Sequence, residues 1–167
     1  MRKLYFVAFL AVASLAASAQ MTSTFHVGAV GSVYKNGNAV GGEIGAMSQI
    51  VSEFSLGGGV QVLTLEGQSG MYVPIFISLG YTIFPRLMFH ADPGYSAFSK
   101  SNTTQSGLNQ TRGDFFIGYG FRYNVTKCIY AGAQYSLYQI ATSTNKSAWH
   151  KTDIHAVTFS LGYSFNQ

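Results

Sequence analysis

Apolar and polar residues alternate through most of this chain. In YVPIFISLGYTIF, residues 72 to 84, Val73, Ile75, Ile77, Leu79, Tyr81 and Ile83 share one face, opposite Ser78, Gly80 and Thr82. Near the C-terminal end Val157, Phe159, Leu161, Tyr163 and Phe165 oppose Thr158, Ser160, Gly162 and Ser164. In GDFFIGYGFRYNV, residues 113 to 125, the odd positions from Phe115 to Val125 are large and apolar, while Gly118, Gly120, Arg122 and Asn124 stand between them. A period of two belongs to a strand with one greasy face; helical spacing is absent. Eight such runs predict eight strands, at 25–34, 39–48, 54–65, 72–84, 87–98, 114–125, 128–140 and 154–165. Each has about the 9–11 residues that a tilted strand needs to cross a bilayer, or slightly more.

The connections alternate in length. KNGN, EGQSGM, SKSNTTQSGLNQTRG and ATSTNKSAWHKTD follow the odd runs, whereas QIVSE, PR and TK follow the even ones. Short turns on one rim and longer loops on the other is the asymmetry of membrane barrels. The apolar faces of the eight runs carry no Asp, Glu, Lys or Arg. A cation facing lipid at mid-membrane costs about 2–4 kcal/mol, so lipid explains that absence and water does not. Hydrocarbon cannot satisfy an open strand edge, so the sheet must close. An eight-stranded barrel has room inside only for side chains, which suits the Gly, Ser and Thr on the opposite faces. Phe25, Phe54, Tyr81, Tyr123, Tyr163 and Phe165 are expected to ring one interface, with Tyr95 and Phe115 at the other. Pro74 and Pro93 each delete a ladder donor, and a bulge or irregular ladder is expected between runs four and five.

Composition agrees. Only 10% of residues are charged, too few to cover a soluble surface, while Tyr and Phe number 11 and 13. Arg2 and Lys3, the apolar run from Leu4 to Ala16, and Ala17-Ser18-Ala19 have the three parts of a secretory signal peptide. The expected division is residues 1–19 as signal and 20–167 as one barrel domain. Cleavage removes two basic residues and no acid, lowering the formal net charge from +4 to +2. The remaining basic residues form no stripe, so a nucleic-acid partner is not expected. Cys128 is the only cysteine, which excludes a disulfide within the chain.

The stretches YVPIFISLGYTIF, HADPGYSAF (90–98), GDFFIGYGFRYNV and TFSLGYSF (158–165) resemble the small eight-stranded outer-membrane β-barrels of Gram-negative bacteria. These are the OmpA-like and OmpX-like barrels, and especially their Bacteroidota versions. The resemblance implies an all-β, antiparallel up-and-down transmembrane barrel in the cell outer membrane, with both termini periplasmic. It also implies contact with outer-membrane lipid and delivery by the barrel-assembly machinery, for which Phe165 is the terminal aromatic signal.

Candidate chemistry lies on the inward faces. Glu43, Asp92, Arg122, His90 and Gln61 are expected to form a polar network in the lumen, with His26, Gln134 and Tyr138 as neighbours. Buried charges must pair, and Arg122 is expected to take Glu43 or Asp92. The network reads as structural, with gating as the functional alternative. His150, Asp153 and His155 could ligate a metal or share a proton, with Ser147 nearby, yet their spacing fits no metal or catalytic pattern. No catalytic residue, metal ligand or cofactor is therefore assigned. The leading expectation is a non-enzymatic barrel with a structural, adhesive or surface-interaction role, meeting an extracellular partner through loops 99–113 and 141–153. A lipid-A-modifying barrel enzyme, a narrow pore and a soluble lipocalin-like binder are the alternatives.

Overall fold

The computed structural model describes residues 23–35, 37–66, 70–100, 110–145 and 148–166. The signal segment, the centre of loop 99–113 and Ser147 lie outside them. Eight strands follow one another: β1 Ser23–Tyr34, β2 Gly37–Gln49, β3 Phe54–Leu65, β4 Gly70–Phe84, β5 Leu87–Lys100, β6 Gln110–Asn124, β7 Ile129–Asn145 and β8 Ala148–Asn166. Each pairs antiparallel with its neighbour in sequence, and β8 returns to β1, from Thr24–Asn166 to Tyr34–Ala156, to close the barrel. Closure leaves the membrane-embedded part without an edge.

The large apolar residues lie outside. Ile44, Ile77, Leu79, Phe159 and Leu161 are all more than half exposed, as are the rim residues Phe54 and Phe165. Positions between them point inward, where space decides residue type. A methyl group on Gly118 would lie 2.3 Å from Gln134 Nε2, and one on Gly120 would lie 2.2 Å from the carbonyl oxygen of Ala133. Gly120 is thus required by close approach of the neighbouring backbone, while Gly118 makes room for the Gln134 side chain.

The prolines act locally, each beside a gap of two partner pairs. Ladder β3–β4 has no partner pair between Val60–Ile75 and Leu63–Tyr72, beside Pro74. Ladder β4–β5 has none between Phe76–Gly94 and Leu79–Ala91, beside Pro93. Neither gap changes the register. The β4–β5 ladder is irregular, as expected, but its shift falls at Thr82–Phe84, next to the turn. Further shifts occur at Gly113–Phe116 and Ser143–Asn145.

One expectation needs correction. Segment 141–153 is not a loop: β7 continues to Asn145 and β8 begins at Ala148, paired down the hairpin from Asn145–Ala148. Its Ser, Thr, Asn, Lys and His residues fall on both parities, so no period of two marks it. Beyond a membrane both faces of a strand meet water, and pairing continues without the greasy face.

The interior has two layers. Toward the loop side, Phe98, Tyr72, Tyr138, Phe116 and Phe76 form a run of ring contacts, with successive centroids 4.8, 5.3, 5.2 and 5.9 Å apart. Val30, Ala39, Leu63, Leu65 and Ala156 complete this apolar core. Toward the turn side the interior is polar. Tyr138, expected among the polar neighbours, belongs to the aromatic layer.

Candidate functional site: the lumen network

Glu43 on β2 is the best-held group of the polar layer. Tyr130 on β7 donates its hydroxyl to Glu43 Oε1 at 2.6 Å, and Gln61 on β3 donates Nε2 to Oε2 at 3.0 Å. Tyr130 reaches this position over Gly28 and Gly162, where any side chain would meet its hydroxyl at 2.4 Å. Arg122 on β6 comes next. Its guanidinium lies 4.7 Å from the centre of the Tyr130 ring and 3.9 Å from Glu43 Oε1. His26 on β1 offers ring nitrogens 3.5 and 3.4 Å from the two terminal nitrogens of Arg122. A neutral imidazole has one lone pair, so only one of these contacts can be a hydrogen bond at a time. Arg122 Nε is buried with no partner.

Asp92 is engaged elsewhere. It accepts a hydrogen bond from Ser78 Oγ at one oxygen and lies 2.9 Å from His90 Nδ1 at the other. Of the two carboxylates considered for Arg122, Glu43 is the one in reach. A third polar group links the layers: Gln134 donates to Ser136, which contacts Thr158, which contacts Ser32. The five sequence-derived residues, Glu43, Asp92, Arg122, His90 and Gln61, thus face one lumen but divide into two clusters. Tyr130 was missed because a tyrosine near a strand end reads as an interfacial aromatic. Its parity with Gln134 and Tyr138 was the signal that places it inside.

The second candidate group disperses. His155 points outward and its Nδ1 contacts the Tyr135 hydroxyl, with the Tyr119 ring tilted against that of Tyr135, centroids 5.2 Å apart. His155 and Phe165 both face outward on β8, ten residues apart, or about 25 Å of height at the usual strand tilt. His155 therefore marks the upper edge of the apolar band. Asp153 is exposed, the side chain of His150 lies outside the described residues, and Lys151 pairs with Asp114 at 2.8 Å. No three His, Cys, Asp or Glu side chains converge among the described residues.

Comparison with known families finds no match, and comparison with curated proteins finds none. Solved structures do match. The N-terminal β-barrel domain of Pseudomonas aeruginosa OprF superposes with a TM-score of 0.60 at 17% identity, covering 87% of this chain and 100% of that one. Ail, the attachment invasion locus protein of Yersinia pestis, solved with the heparin analogue sucrose octasulfate, gives 0.56 at 14%, over 88% and 100%. A de novo designed transmembrane β-barrel gives 0.52 at 16%, over 86% and 95%. The fold is that of the small eight-stranded transmembrane β-barrels, natural and designed.

Proposed function

We propose that the protein is an integral outer-membrane barrel that anchors a surface-interaction element and does not conduct. The observation that carries this reading is the aromatic layer, in which five rings from β4, β5, β6 and β7 fill the loop-side lumen. Water-filled passage needs open space, and here packed rings fill the loop-side lumen, with only the buried, mutually bonded chain of Ser136, Thr158 and Ser32 beside them. The β7–β8 hairpin, continuing past the apolar band, is the element best placed to meet a partner, together with segment 99–113. Ail, by its name an attachment protein, has the same fold, which lends the adhesive role support but no specificity. The designed barrel has it without any biological role, so the fold itself assigns none.

In this reading the short turns and both strand termini face the periplasm, Phe165 is the residue offered to the assembly machinery, and outer-membrane lipid covers the apolar band. The polar clusters are buried, bonded mainly to one another, and read as wall-to-wall braces. The test combines fractionation with conductance. The protein should sediment with outer membranes, migrate differently on gels when unheated, and give no steady channel current in planar bilayers. Stable, ion-selective openings from the purified, heat-modifiable protein would replace this reading with a pore.

A further inference from the structure

The turn-side end of the lumen holds two thioether sulfurs against one glycine, with an imidazole on that glycine's cross-strand partner. A methyl group on Gly80 would lie 2.8 Å from Met88 Sδ and 3.2 Å from Met47 Sδ, so the two sulfurs flank the same point, no more than about 6 Å apart. His90 is the direct cross-strand partner of Gly80, on the same inward face. Its Nδ1 is held by Asp92, and among the described residues no side chain is hydrogen-bonded to its Nε2. A carboxylate on one imidazole nitrogen, leaving the other free, is the arrangement that orients metal-binding histidines. Met47 and His90 are buried, while Met88, the nearest of the three to the β4–β5 turn, is half-buried.

Charge points the same way. Glu43 and Asp92 are two carboxylates in this layer, and Arg122 is its single permanent cation among the described residues. Arg122 is drawn away from Met88, its cross-strand partner, onto Tyr130 and Glu43. Asp92 therefore has no permanent cation beside it, its partners being Ser78 and His90, and a cation entering this pocket would meet a buried carboxylate. We propose that Met47 Sδ, Met88 Sδ and His90 Nε2 form a site for a soft monovalent metal ion, Cu(I), with Asp92 balancing its charge. Thioether and imidazole donors select that ion over the hard cations Mg and Ca. Flexible methionine side chains can close on it without moving the wall.

The inference stands apart from any adhesive role. Its test uses the detergent-refolded barrel in a Cys128→Ser background, which removes the competing thiol. Cu(I) is titrated against a chromophoric chelator under reducing conditions, and Ag(I) serves as a redox-inert second probe. One ion should bind per folded barrel. Paired Met47→Leu and Met88→Leu substitutions, which conserve volume, should weaken binding at least tenfold while heat-dependent gel mobility persists. His90→Gln should do the same, and Asp92→Asn should weaken binding about tenfold. Met71→Leu, on the outer face, should change nothing. Binding no stronger than that of the unfolded chain, or equal binding by the double leucine variant, would overturn the site and leave the methionines as packing over Gly80.

Discussion

Arg122 holds its place through three unequal contacts: a long ion pair with Glu43, a weak approach to His26 and the face of Tyr130. The short bonds of Glu43 come instead from the neutral donors Tyr130 and Gln61. Removing the guanidinium leaves that carboxylate buried without a countercharge, so Arg122→Ala should lower the unfolding free energy by about 3–5 kcal/mol. Urea titration in micelles, followed by gel mobility, reads the change. Pairing Arg122→Met with Glu43→Gln should recover part of the loss, because no charge is then stranded; equal loss in both variants would argue that packing on Tyr130 is what matters. That Arg122 faces inward was legible from parity in GDFFIGYGFRYNV. Its partner was not, because β2 and β6 stand on different sides of the barrel and meet only through strand stagger. Met47 and Met88 were hidden for another reason: a methionine reads alike inside and outside.

At the scale of elements, the strand cores were legible and their loop-side ends were not. β3 spans the expected residues, because apolar residues run to both its ends, Phe54 outside and Leu63 and Leu65 inside, whereas β7 and β8 extend well past their periodic runs. Pairing there is carried by backbone bonds and by residues such as Thr142 and Thr152, whose polarity looks like loop. The hairpin beyond Ala141–Lys151 adds little to the barrel, because β1 ends its pairing with β8 at Tyr34–Ala156. Replacing residues 142–150 with a two-residue turn should therefore leave folding and heat-dependent mobility intact, changing the unfolding free energy by less than about 0.5 kcal/mol, within the range of surface changes. If the surface role is right, the same deletion abolishes adhesion of expressing cells. Failure of the shortened chain to fold would instead make the hairpin part of the barrel's own stability. The prolines teach the complementary lesson: each sits beside a gap of two pairs on one side, and a closed ladder tolerates that without slipping register.

The whole molecule inverts the usual relation between exposure and tolerance. Ile77 is 59% exposed, on the outer face of β4. On a soluble protein an exposed residue changes to arginine at a cost within about 0.5 kcal/mol. On this barrel, Ile77 lies between the rim aromatic Tyr81 and the loop side, deep in the apolar band, and a guanidinium there must leave water. Ile77→Arg should cost about 2–4 kcal/mol, falling toward 0–1 for the same change at Phe54 or Phe165 on the rim. Reversible folding into lipid vesicles measures all three. A graded cost with depth places the eight-stranded surface in hydrocarbon along its full height. A flat, near-zero cost at all three positions would return the chain to water and require a partner to cover its apolar face. The aromatic layer makes this measurement clean, because packed rings leave the new side chain no lumen to retreat into. The penalty then reports the lipid face alone.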